Sequence, residues 1–204
     1  MDTISPPDNA PRKLTLGDIA DLRAYERERE DFRQRVIALK KRRRIGVGPH
    51  ITMVFENRDT IRFQIQEMAR AEKILSDEGI ETELGIYNPL IPDPGALCAT
   101  LFIELITEAQ LREWLPKLVG IERSVLVRTS SGLEVRCIPD EDHQAQLTRE
   151  EITASVHYIR FEFPADAIEA FAHGASLVVD HPEYQFSTPL SDDTVTELLT
   201  DLRP

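Results

Sequence analysis

The segment Lys40–Glu72, KKRRRIGVGPHITMVFENRDTIRFQIQEMARAE, constrains the fold more than any other part of the chain. A helical pattern ends there in five cations, Lys40 to Arg44, which suit the negative end of a helix dipole. Gly46, Gly48 and Pro49 then break the helix. His50 to Phe55 and Thr60 to Ile65 follow, with Ile51, Met53 and Phe55, and then Ile61, Phe63 and Ile65, at alternate positions. This spacing predicts two half-buried strands joined by a turn at Glu56-Asn57-Arg58-Asp59. Helical spacing resumes through Ile65, Met68, Glu72 and Leu75. A chain that passes from helix to strand to helix over so short a distance belongs to the α+β class.

The flanking sequence extends this pattern. Residues 1–13 are polar and proline-rich and predict a disordered tail. Leu16, Ile19, Leu22 and Tyr25 recur at helical spacing, with Thr15 as cap and Asp18 in the first turn. Phe32, Val36 and Leu39 mark a second helical run. Asp77 to Leu90 predicts a shorter helix and then a loop, broken by NPLIPDPG. Ala99 to Ile106 predicts a strand. Thr107-Glu108-Ala109-Gln110 matches a capping box, and Leu111, Trp114, Leu115 and Leu118 form the apolar stripe behind it. Pro116 should shorten or kink that helix. Val125–Arg128 and Leu133–Ile138 predict a hairpin. The order then recurs: a strand from Val156 to Phe163, a helix opened by Pro164 and ended by Gly174, and a hairpin of Ser176–Val179 with Tyr184–Thr188. Ser191 caps a final amphipathic helix. We therefore expect an antiparallel sheet with helices packed on it in one domain over 14–204. Its parts are a helical N-terminal arm (14–45), a hairpin with helices (46–95), two strand-helix-hairpin units (96–190) and a C-terminal helix (191–204).

Composition bounds the function. The 204 residues suit one core, with 41% apolar residues. The formal charge of −12 argues against general nucleic-acid binding, and no aromatic residues interleave the basic run. Cys98 and Cys137 form no CxxC pair, which argues against a disulfide framework or a cysteine-ligated cluster. Free thiols suit a reducing compartment. No segment reaches the roughly 20 apolar residues that span a bilayer. These features predict a soluble cytoplasmic protein.

No G-x-S-x-G, phosphate-loop or H-E-x-x-H pattern is present. Of the five histidines, His50, His143, His157, His173 and His181, no two have the spacing that places ligands on one helical face. A metal site, for iron or zinc, would have to be assembled from His50, Glu67, His157 and His181. Glu67 and Arg70 are three residues apart and can pair on a helix, with Gln64 and Gln66 close enough to support them. Asn57, Arg58, Glu67 and Arg70 could then form a polar pocket for an anion or a partner, because the planar fork of arginine binds carboxylates at two points.

The blocks GPHITMVFENRDTIRFQIQEMARAE, YNPLIPDPG, SVHYIRFEF and DHPEY resemble an uncharacterised bacterial family, domain-of-unknown-function family 3501. The resemblance runs from about Leu14 to the C-terminal helix and carries no named activity. By association it implies a role near iron or peroxide chemistry, beside rubrerythrin-like proteins and iron–sulfur oxidoreductases. Three functions are expected from these readings: an accessory protein that binds a redox partner, a metal-dependent enzyme with a His/Glu site, or a small-anion binding module.

Overall fold

The computed structural model describes residues 12–140 and 152–203. The predicted tail, apart from its last residues, and His143 lie outside them.

Thr15 caps a single 3-10 turn, Leu16–Asp18, and Asp18 returns the bond to the Thr15 backbone. The chain then breaks, and Asp21 caps one long helix, α1 (Leu22–Arg43). The two predicted helical runs are thus a turn followed by one continuous helix. Strand β1 (Arg44–Val47) follows directly and pairs with β2 (Ile51–Glu56).

The predicted hairpin is displaced. Its first strand is β2, but β2 pairs with β1, and residues 60–65 belong to helix α2 (Arg58–Glu72). The cause is local. Asn57 Oδ1 accepts from the backbone N–H groups of Asp59 and Thr60, while Thr60 Oγ1 accepts from the Asn57 N–H. This cap converts the supposed turn into a helix start. Ile61, Ile65 and Ala69 bury one helical face, and Phe63 turns sideways to meet Phe32 of α1 edge-on, with ring centroids 5.7 Å apart. Leu75, expected to extend this apolar face, lies beyond the left-handed C-cap Lys73 and is exposed.

Helix α3 (Asp77–Tyr87) packs on α2 and leads through the proline-rich break to β3 (Ala96–Ile103). Next come α4 (Glu108–Lys117), β4 (Val125–Thr129), β5 (Glu134–Arg136) and β6 (Ile138–Pro139). The predicted capping box at Thr107 and Gln110 is present, and Pro116 falls in the last turn of α4. The chain then runs through β7 (Val156–Glu162), α5 (Ala165–Phe171), β8 (Ala175–His181), β9 (Tyr184–Pro189) and α6 (Asp192–Leu202). The order strand, helix, hairpin occurs in both segments, and this likeness is one of topology alone.

All strand pairings are antiparallel among the described residues. The strands form two sheets, ordered β1-β2-β3-β7-β6 and β5-β4-β8-β9. Met53, Phe55, Leu101 and Phe161 from the first pack against Val125, Val127, Leu177 and Val179 from the second, with Phe171 of α5 and Leu198 of α6 in the same core. Leu133–Ile138 is not one strand. The chain switches sheets at Cys137, so β5 pairs with β4 and β6 pairs with β7. This closes one side of the sandwich.

The other side is closed by side chains. Tyr184 Oη donates to Val47 O at 2.7 Å and accepts from the N–H groups of His50 and Ile51 at 2.9 and 3.2 Å. Thr188 Oγ1 donates to Gly46 O at 2.9 Å. Such contacts satisfy edge groups that would otherwise pair with another chain. Gly48, at φ 68°, makes this approach possible: a Cβ there would lie 2.5 Å from the Phe186 ring.

Candidate functional site

Helix α2 carries the polar residues singled out in the sequence, and its contacts decide what they can do. Glu67 does not pair with Arg70. It receives a two-point bond from Arg29 of α1, Nε to Oε1 at 2.7 Å and Nη2 to Oε2 at 2.8 Å. The hydroxyl of Tyr25, which is fully buried, donates to the same Oε1 at 2.7 Å. Arg70 instead reaches Glu26 of α1 at 2.6 Å. Arg58 binds Asp18 in the 3-10 turn at 2.5 Å. Its Nε is buried without a hydrogen-bond partner among the described residues. Asn57 is the helix cap.

Arg58, Glu67 and Arg70 therefore share one interface, but it is the seam between α2 and the arm, and its charges are already matched. The predicted anion clamp is corrected to a set of internal ties. Helix α2 lies beside α1, so side chains one helical turn apart each meet the neighbouring helix before they meet one another.

Two further members complete this seam. Gln66 is fully buried, and its amide bonds Ala20 on both sides, Ala20 N to Oε1 at 2.8 Å and Nε2 to Ala20 O at 3.1 Å. Arg62 donates to Asp18 O and Glu28 while lying over the Phe32 ring, 4.8 Å from its centroid. Gln66 was expected only as support for Glu67 and Arg70, and Arg62 was not singled out.

The basic run is also divided. Arg43 is fully buried and bonds Glu197 and Asp201 of α6. Arg42 joins Glu197 from a more exposed position, and Arg44 pairs with Glu104. Only Lys40 and Lys41 form no ion pair with a described residue.

The histidines do not meet Glu67. His50 sits at the β1–β2 turn with its ring 4.8 Å from that of Trp114. His157 is buried in the sandwich, and its Nε2–H faces Ala154 O and Thr153 Oγ1, both at 2.9 Å. His181 donates from Nε2 to Val119 O at 3.0 Å, and its Nδ1 accepts from the Glu183 N–H at 3.2 Å. With both nitrogens engaged, His181 has no lone pair free for a cation. Among the described residues, no group of three or more His, Cys, Asp or Glu side chains converges to hold a metal. The expected assembly of His50, Glu67, His157 and His181 around iron or zinc is corrected accordingly. The strand histidines face the sandwich and its ends, whereas Glu67 faces the arm.

Burial sets the reactivity of the thiols. It pushes Cys98 up to about 12 and Cys137 to about 11, so the thiolate is scarce at neutral pH. Native protein should react with a thiol-specific disulfide reagent at pH 8 only over the timescale of unfolding. Both thiols should react at once in denaturant. Rapid native labelling would contradict the burial.

The same geometry predicts acid sensitivity. Burial lowers the His157 value below 6.5, so the unfolded chain binds this proton first and stability falls as pH drops below that value. Arg29, helped by Tyr25, holds Glu67 below 4.5. That contribution is complete above 4.5 and is lost as pH falls through the lowered value. Denaturant melts across this range should show two stages of loss. His157→Gln should flatten the first stage and Glu67→Gln the second.

Residues 13–202 match the family described as "Protein of unknown function (DUF3501)". The chain belongs to this family. Its fold is also similar to the crystal structure of a novel protein of unknown function from Burkholderia pseudomallei K96243. The two are 39% identical, with a TM-score of 0.86, and the match covers 93% of this chain and 99% of that one. No curated protein matches the chain. Among the described residues of this family member, no helix is long and apolar enough to cross a membrane.

Proposed function

We propose that this protein is a cytoplasmic accessory protein that binds a redox partner, an iron–sulfur or rubrerythrin-like protein. One observation supports this reading. The side chains best suited to chemistry are used as internal fasteners: Glu67 by Arg29 and Tyr25, Arg58 by Asp18, and His181 by two backbone groups. The thiols are buried as well. A protein built in this way offers a rigid shape and a surface rather than an exposed nucleophile or an open ligand set. Binding, not electron transfer through its own thiols, is then its contribution.

The test is co-elution and calorimetry of the full chain with purified rubrerythrin-like and iron–sulfur proteins. Association at micromolar concentrations is expected. No association with either would overturn the proposal. Stoichiometric iron or zinc in the purified chain would shift the reading to a metal-dependent enzyme.

A further inference from the structure

Among the helices of the described residues, α1 has the largest excess of basic side chains. This helix carries nine basic and four acidic side chains, in a chain whose formal charge is −12. The tertiary structure sharpens the contrast. Two of the four acids, Glu26 and Glu28, turn to the flank and pair with Arg70 and Arg62 of α2. Tyr25, Phe32, Val36 and Arg43 define the buried face. The opposite face presents four cations, Arg23, Arg27, Arg33 and Lys41, spaced so that they follow one side of the helix, with the exposed Glu30, which accepts from Gln34, between Arg27 and Arg33. All four are exposed, and none forms an ion pair with a described residue. From Arg23 to Lys41 the stripe runs about 27 Å, at the helical rise per residue. Ile37, 39% exposed, lies within it, one turn from both Arg33 and Lys41. An apolar side chain with an unpaired cation one turn to either side has the pattern of an anchor beside a charged rim.

We infer that the outward face of α1 docks an acidic protein surface with an apolar centre, belonging to a different chain. The inference rests on the accessory-protein reading only for the identity of the partner. Charge complementarity selects the occupant. A second copy joined about a two-fold axis would set one basic stripe against another, which is repulsive. Nucleic acid fits less well, because the exposed stripe has no aromatic side chain for a base to stack on and the rest of the molecule is acidic.

The experiment uses the full chain. Calorimetry with a purified rubrerythrin-like protein and a purified iron–sulfur protein is compared for wild type, Arg27→Glu/Lys41→Glu and Ile37→Asp. Circular dichroism checks that each variant is folded. Affinity should fall by about tenfold or more in both variants, and the salt dependence should weaken in the charge variant. Arg27→Lys/Lys41→Arg should retain wild-type binding. Partner binding that is unchanged in the variants would overturn this surface and leave the accessory reading intact. If wild type binds neither partner, the accessory reading fails, and the surface is judged by a second measurement. In that measurement, a helical peptide with one leucine ringed by glutamates is titrated into labelled full chain and followed by NMR. Shifts at Arg27, Arg33, Ile37 and Lys41 would support the surface. Shifts elsewhere, no shifts, or tighter binding of duplex DNA to this face would overturn it.

Discussion

Replacing Arg43 with methionine is expected to cost about 3–5 kcal/mol of folding stability, the range for removing one partner of a buried ion pair. The Arg43 side chain has no exposed surface, and its partners Glu197 and Asp201 are 14% and 12% exposed. The guanidinium bonds Glu197 from Nε and Nη2 at 2.9 and 2.8 Å, and Asp201 from Nη1 at 2.7 Å. Without it, two carboxylates face each other with little water, and only Arg42 remains on Glu197. The destabilisation should appear in urea unfolding as a lower midpoint. Lysine should not rescue it, because a point charge cannot reproduce the planar fork that reaches both acids. The triple variant Arg43→Met/Glu197→Gln/Asp201→Asn should recover much of the loss, since the neutral amides need no buried counter-charge. A single variant as stable as wild type would show that the cluster is hydrated.

Replacing Tyr184 with phenylalanine should cost about 1–3 kcal/mol, the penalty for leaving buried polar groups unsatisfied. The hydroxyl is at once the acceptor for two backbone N–H groups and the donor to Val47 O. Phenylalanine fills the same space and removes all three bonds. The His50 and Ile51 amides should lose their hydrogen-exchange protection, because the β1–β2 turn is held to β9 largely through this oxygen. Protection elsewhere in β3 and β7 should fall only by the global loss of stability. Uniform loss of protection with no excess at the turn would mean that the hydroxyl does not hold the sandwich edge.

The sequence was readable wherever a few neighbouring residues settle the structure among themselves. Thr107 with Gln110, Ser191 as the cap of the last helix, and Pro164 ahead of α5 all lie where the sequence placed them. The Ile61-Phe63-Ile65 pattern was not decisive, because alternate apolar positions satisfy a strand and also a helix with neighbours on two sides. Here α1 supplied the second neighbour, and the Asn57 cap selected the helix. Leu133–Ile138 reads as one strand because nothing local marks Cys137 as the point where pairing passes from β4 to β7.

The candidate site was legible in its residues but not in its use. Arg58, Glu67 and Arg70 share one helix capped by Asn57, whereas the sequence placed Asn57 and Arg58 in a hairpin turn ahead of a strand. Their role changed because the arm folds back on α2 and presents the opposite charge to each cation and to Glu67. The histidines looked like candidate ligands because residue type alone says nothing about which nitrogen a backbone group already holds.

By itself, the amino-acid order determined several helix caps, the α+β class and the family, since capping and apolar periodicity act over three or four residues. The tertiary structure alone decided that Glu67 meets Arg29 across 38 residues and that Arg43 meets Asp201 across 158. Any of the many acids in this chain could neutralise either arginine. Only the packing of α1 against α2 and α6 brings one particular carboxylate within hydrogen-bonding distance and removes the water that would otherwise compete for it.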